Sequence, residues 1–115
     1  MKNIIFSLVI CYAFCSLNIS AFEQVDVTIE KNSQHEECFF VNQQSSLSYQ
    51  YKSSAAIDFN FHFHDDNGMN FIIELTQSTE SKDTIKQLHN KQVYCLMWVN
   101  ESMKPAELSY EFSMK

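Results

Sequence analysis

The chain has 115 residues, with eight basic side chains against fourteen acidic ones and a formal net charge of −6. That is enough for one domain, and the balance argues against nucleic acid or an anionic lipid surface as a partner. None of the basic residues is arginine, and no lysine cluster offsets the acids locally.

The N-terminal stretch "MKNIIFSLVICYAFCSLNISA" carries one lysine, an apolar run from Ile4 to Leu17 and a polar segment ending in a small residue. This is the layout of a secretory signal peptide. The run is too short for comfortable bilayer spanning, which takes ~20 apolar residues. Cleavage is expected after Ala21, giving a signal peptide at 1–21 and a domain at 22–115. Lipid attachment is not expected, because Cys11 and Cys15 follow the large residues Ile10 and Phe14. No second apolar segment of membrane length follows, so the mature chain is expected to be soluble with no transmembrane segment, and the signal peptide makes it an exported product: secreted, periplasmic or in a secretory-pathway lumen.

The remaining chain reads as strand after strand. "QVDVTIEK" alternates Val25, Val27 and Ile29 with polar residues, "ECFFV" is a short apolar run, and "SLSYQYK" alternates Leu47, Tyr49 and Tyr51. "AAIDFNFHFH" is the longest alternation, with Phe59, Phe61 and Phe63 on one parity and Asn60, His62 and His64 on the other. Asn67-Gly68 in "DDNG" is a hairpin signal, since both residues tolerate positive φ. "MNFIIELTQ" sets Phe71, Ile73 and Leu75 on one side. Residues 78–90, "STESKDTIKQLHN", fit a helix through the spacing of Ile85 and Leu88, and also fit a strand or a loop. "QVYCLMWVN" is apolar on both parities, as in a strand covered on both faces. "AELSYEFSM" ends the pattern with Leu108, Tyr110 and Phe112. Short period-two segments at regular spacing predict an all-β antiparallel sandwich of about seven to eight strands.

Cys38 and Cys95 remain once the signal peptide is gone. An even pair in an oxidising compartment is expected to form a disulfide. On a chain-entropy model such a bridge contributes roughly 4 kcal/mol. No C-x-x-C spacing points to zinc or redox chemistry instead.

The strand order resembles a GOLD (Golgi dynamics) domain, as in the lumenal part of p24 cargo receptors and in Sec14-like proteins. Four stretches carry the resemblance: "HEECFFV", with the first cysteine; "SLSYQYKSSAAIDFNFHFHDDNG", with Asp58 opening its second run and a glycine closing it; "VYCLMWVNES", with an aromatic, one residue and Asn100; and "AELSYEF". It spans residues 24–114. Aligned on Asn100, the late cysteine of p24 proteins falls at Met97, whereas this chain has Cys95, two residues away and on the same strand face. The resemblance implies a free-standing, exported GOLD-type sandwich that binds protein, in the secretory pathway or as a cargo-binding unit.

Two site readings compete at His62 and His64. Side chains two apart on a strand share a face, so both imidazoles reach one metal ion. Local spacing supplies no third ligand, because Asp65 has the wrong parity and Asp66 opens the turn. The expected reading is therefore a solvated row behind the phenylalanine stripe, with no metal and no cofactor. Catalytic motifs are missing: there is no G-x-S-x-G, H-E-x-x-H or glycine-rich phosphate loop, and the adjacent acids Glu36 and Glu37 point to opposite faces. The chain is expected not to be an enzyme. Asn100-Glu101-Ser102 is a glycosylation sequon if the source is eukaryotic, though Asn100 also fits a turn-capping position. The expected function is a non-enzymatic protein-interaction module. A binder of a small apolar ligand or lipid, a factor acting on a host membrane complex, or a metal carrier using His62 and His64 are the alternatives.

Overall fold

The computed structural model describes residues 23–89 and 91–115. The signal peptide expected at 1–21 and its cleavage point lie outside the described residues. Among the described residues there are six antiparallel strands: β1 (Gln24–Ile29), β2 (Ser33–Val41), β3 (Ser45–Asp65), β4 (Gly68–Leu88), β5 (Gln92–Asn100) and β6 (Ala106–Met114). Their order is β1-β6-β3-β5-β2, with β4 along the other edge of β3.

β3 makes one sheet into two layers. Its first half, Leu47–Ser53, pairs with β6, and its second half, Asp58–Phe63, pairs with β5. β4 follows β3 through both halves. At the junction, the five steps from Lys52 to Ile57 are matched by only two steps on β4, from Glu80 to Ser78. Surplus backbone of this kind bends a strand and strengthens its twist. One layer is β1, β6 and the first half of β3 with the second half of β4. The other is β2, β5 and the remaining halves.

Alternation then fills the space between the layers. Leu47, Tyr49, Tyr51, Ile57, Phe59, Phe61, Tyr94, Leu96, Trp98, Leu108 and Tyr110 are all buried. Trp98 on β5 lies 4.4 Å, centroid to centroid, from Tyr110 on β6, and Phe39 on β2 lies 5.5 Å from Phe112 on β6. These strands share no ladder, so the contacts are made face to face across the sandwich. Burying each large apolar side chain stabilises the fold by roughly 1.5–3 kcal/mol, and tilted aromatic pairs add to that.

Six strands stand where seven to eight were expected because two pairs of runs are continuous. "SLSYQYK" and "AAIDFNFHFH" form β3, and "MNFIIELTQ" runs on through the doubtful stretch to Leu88 as β4. Ser45 pairs with Leu88 and Leu47 with Ile85, two steps against three. That extra residue restores the face, so Ile85 and Leu88 both reach the core despite a spacing of three. The spacing that suggested a helix is a bulged strand.

The same device moves Phe71. Phe61 pairs with Ile73 while the next residue, His62, pairs with Phe71, leaving Ile72 as the bulged residue. Ile73 and Leu75 pack against the core, whereas Phe71 is on the outside. A third bulge carries Gln77 at φ 50°. The Asp58 carboxylate accepts the Gln77 backbone N–H at 3.0 Å and its side-chain amide at 3.4 Å.

The β3–β4 hairpin also differs from the sequence reading. Asp65 pairs with Gly68, so Asp66 and Asn67 form the turn. Gly68 takes φ 114°, while Asn67 has no positive φ. Asp65 Oδ1 accepts the Asn67 N–H at 2.8 Å and closes the turn from its side chain.

Candidate functional site

The outer face of the β2–β5–β3–β4 layer concentrates the side chains that alternation alone leaves unexplained. Register sets them in rows. Phe40 is opposite Val93, and His64 is opposite Met69. Cys38 is opposite Cys95, Cys95 opposite His62, and His62 opposite Phe71. Glu36 is opposite Met97, Met97 opposite Asn60, and Asn60 opposite Glu74.

Cys38 and Cys95 form the expected disulfide, with their Cα atoms 4.1 Å apart and a sequence separation of 57. The bridge lies flat on the outer face beside His62. It belongs to this face and not to the core between the layers.

His62 corrects the reading of this row as solvated: it is 0 % exposed. Its ring packs against His64 at 5.0 Å and Phe71 at 6.0 Å, centroid to centroid. The Phe71–Ile72 bulge helps to cover a residue that alternation aims at water. Nδ1 sits 2.6 Å from Asn60 Oδ1, an atom that only accepts, so Nδ1 carries the ring proton. Nε2 is then the free lone pair, 3.4 Å from Glu36 Oε2 and without a hydrogen bond among the described residues. Burial pushes the imidazole pKa below its ordinary value, and the nearby Glu36 carboxylate opposes that shift. His64 is exposed on the same face.

The two candidate histidines are therefore brought together, but with different surroundings. Glu36 is the neighbour that sequence spacing did not supply. Its parity with Cys38 was visible, and the disulfide fixes β2 against β5. The pairing of β5 with β3 was not visible, and that pairing places Glu36 beside His62.

Apolar side chains surround this cluster at the surface. Phe40 is 56 % exposed, Val93 47 %, Phe71 46 % and Met69 and Ile72 41 % each. β5 was expected to be covered on both faces. Cys95 is buried, but Val93 at the start of the strand is not. Acidic groups flank the patch at Glu36 and Glu74, with Asp66 in the adjoining turn, all exposed. Grouped apolar exposure inside a polar rim is the mark of an interaction surface, whereas scattered apolar residues carry no such message.

Glu37 points inward, as its parity requires, and joins a different set. The Tyr110 hydroxyl donates to Glu37 Oε1 at 2.7 Å. With that proton committed, His35 Nε2–H donates to the Tyr110 oxygen at 3.0 Å. Burial, then the hydrogen bond to Glu37 and its charge, push the Tyr110 pKa far above the ordinary phenol value. A hydroxyl held so firmly protonated ties β2 to β6 across the layers.

The opposite outer face, on the β1–β6–β3–β4 layer, is polar. Gln24, Glu111, Gln50 and Lys82 form one complete row across four strands. The Gln50 amide donates to the Glu111 carboxylate. This row and the next one line an open groove of about 580 Å³.

Asn100, the sequon residue, is fully buried. Its Nδ2 donates to the carbonyls of Ile29 at 2.9 Å and Lys104 at 2.8 Å, and Oδ1 accepts from the Ser102 N–H at 3.0 Å and hydroxyl at 2.7 Å. The atom a glycan would occupy is used inside the fold. The turn-capping reading of Asn100 is the one the geometry supports.

No protein-family model matches the chain, and no curated protein sequence matches it. Solved structures do resemble it. A mitogen derived from Yersinia pseudotuberculosis superposes with a TM-score of 0.64 at 13 % identity, over 83 % of this chain and 86 % of that one. PirA superposes with a TM-score of 0.58 at 10 % identity, over 84 % of this chain and 100 % of that one. The g-type lysozyme inhibitor PliG of Aeromonas hydrophila gives 0.54 at 9 % identity, over 80 % and 86 %. At these identities the likeness is one of fold: this chain has the antiparallel β-sandwich architecture that those proteins share.

Proposed function

We propose that the chain is an exported, non-enzymatic binding module that docks another protein on the outer face of its β2–β5–β3–β4 layer. The observation that carries this reading is the group Phe40, Val93, Met69, Phe71 and Ile72, exposed together and flanked by carboxylates at Glu36 and Glu74. The chemistry it suits is an apolar protuberance with a basic rim. A periplasmic inhibitor of g-type lysozyme and a mitogen are among the proteins with a similar fold. Export is supported by the Cys38–Cys95 disulfide. Among the described residues no helix is long and apolar enough to cross a membrane.

A GOLD-type module working in the secretory pathway is the finer form of the same proposal. The cysteine pairing between an early and a late strand supports it. The test compares wild type with Phe40→Glu/Phe71→Glu, both purified from the source's exported fraction and examined by native mass spectrometry. One stoichiometric protein partner, released by salt and absent from the variant, is the expected result. A partner retained by the variant, or a lipid adduct in place of a protein, overturns it.

A further inference from the structure

We infer that the dithiol form of this protein holds a zinc ion between Cys38, Cys95, His62 and Glu36. This does not depend on the binding reading above. Cys95 Sγ, His62 Nε2 and a Glu36 carboxylate oxygen all lie within 4.8 Å of one another. Glu36 Oε2 also lies 4.0 Å from Cys38 Sγ. Donor atoms around tetrahedral zinc are roughly 3.5 Å apart, given bonds of about 2.0–2.3 Å. Glu36, His62 and Cys95 need only small side-chain movements to close on an ion, and Cys38, outside that group of three, completes the set by turning its freed sulfur toward them.

The second and independent observation is the state of His62. A fully buried imidazole has Nε2 aimed into this cluster with no hydrogen bond among the described residues. Asn60 Oδ1 holds the proton on Nδ1. This is how metal-ligating histidines are prepared: a second acceptor fixes the tautomer and turns the free lone pair toward the ion. The backbone contributes rigidity, since Cys38, Cys95 and His62 occupy one row across three adjacent strands.

In the disulfide form the sulfurs are bonded to each other and are not thiolate ligands. Reduction opens the site. An external dithiol gives two electrons and two protons to the S–S bond, which breaks into two thiols, while the dithiol becomes a disulfide. Both thiols then release their protons to solvent as zinc binds the two thiolates. Reoxidation of the pair runs this in reverse and expels the ion. Two sulfurs, one nitrogen and one carboxylate favour zinc over calcium or magnesium, which require all-oxygen sets.

The test is cobalt(II) titration followed by zinc displacement, on protein reduced with a water-soluble phosphine. The phosphine takes oxygen from water to become its oxide and leaves both thiols free. Reduced wild type is expected to bind one cobalt with a thiolate-to-metal charge-transfer band, and zinc is expected to abolish the band. Disulfide-bonded protein should show no band. His62→Gln and Glu36→Gln should each weaken binding at least tenfold, with circular dichroism confirming that the sandwich persists. Glu36 is exposed, so its variant carries the test should His62→Gln fail to fold. No thiolate–cobalt band in the folded, reduced wild type overturns the inference. So does a folded variant that binds as tightly as wild type.

Discussion

Glu36 Oε2 lies 3.4 Å from Nε2 of His62, a ring with no exposed surface. The acid sits on β2 and the histidine on β3, with β5 and its disulfide cysteine between the two strands. Burial has the larger effect on His62 and favours the neutral ring in the folded state. Linkage then has a definite sign. Above the unfolded value of about 6.5 both states hold the ring neutral, and the full stability is present. As pH falls below that value the unfolded chain takes up the proton first, and stability is lost down to the depressed folded value. Thermal unfolding of wild type between about pH 8 and pH 5 should show this loss. His62→Gln should flatten the part of the profile near neutrality, while His64→Gln, which removes a smaller contribution to the same depression, should only narrow the loss and shift stability by no more than about 0.5 kcal/mol at pH 8. An unchanged profile in His62→Gln would count against the assignment.

Phe61 and Phe71 belong to neighbouring strands and have opposite fates. Phe61→Ala opens a cavity in the core and should cost roughly 3–5 kcal/mol by denaturant unfolding. Phe71→Ala removes a half-exposed ring and should cost no more than about 1 kcal/mol, although it uncovers His62. Equal losses would mean that the Ile72 bulge does not set the face of Phe71.

Asp58 and Gln77 should respond in opposite directions. Asp58→Ala leaves the exposed Gln77 N–H to water and should cost about 0.5–1.5 kcal/mol. Gln77→Gly relieves the positive φ, worth about 1 kcal/mol, and loses only a long side-chain hydrogen bond. It should be neutral to stabilising. A destabilised glycine variant in urea unfolding would show that the bulge is held by something other than its backbone.

Asn100 should tolerate almost nothing. Asn100→Asp replaces a donor with a carboxylate oxygen facing the carbonyls of Ile29 and Lys104, and should cost more than the roughly 1–3 kcal/mol of a simple unpaired group. The folded protein expressed in a eukaryotic secretory host should carry no glycan at this position. Intact mass before and after glycosidase treatment settles the second point.

Much of the sandwich is legible in the sequence because alternation is a local property of an extended chain. Phe59, Phe61 and Phe63, then Tyr94, Leu96 and Trp98, then Leu108, Tyr110 and Phe112 point inward as their parity requires. The Cys38–Cys95 pairing is the one expected once a signal peptide with Cys11 and Cys15 is set aside, and the two residues are bonded in the fold. Glu36 and Glu37 take opposite faces for the same local reason.

Parity stops being informative where one strand gains a residue on its partner. A bulge leaves no mark in composition, because it is defined by the opposite strand. Three such shifts on β4 turn Phe71 outward, bring Leu88 inward and hold Gln77 at positive φ. Continuity was hidden too: surplus residues around Ser54 bend β3 without breaking it. His62 shows the deeper limit. Its direction was fixed by its own strand, but its burial was decided by Glu36, the disulfide and Phe71 arriving from three others. Direction is set by the residue's own backbone, whereas exposure depends on what packs over it, and only the assembled sheet determines that.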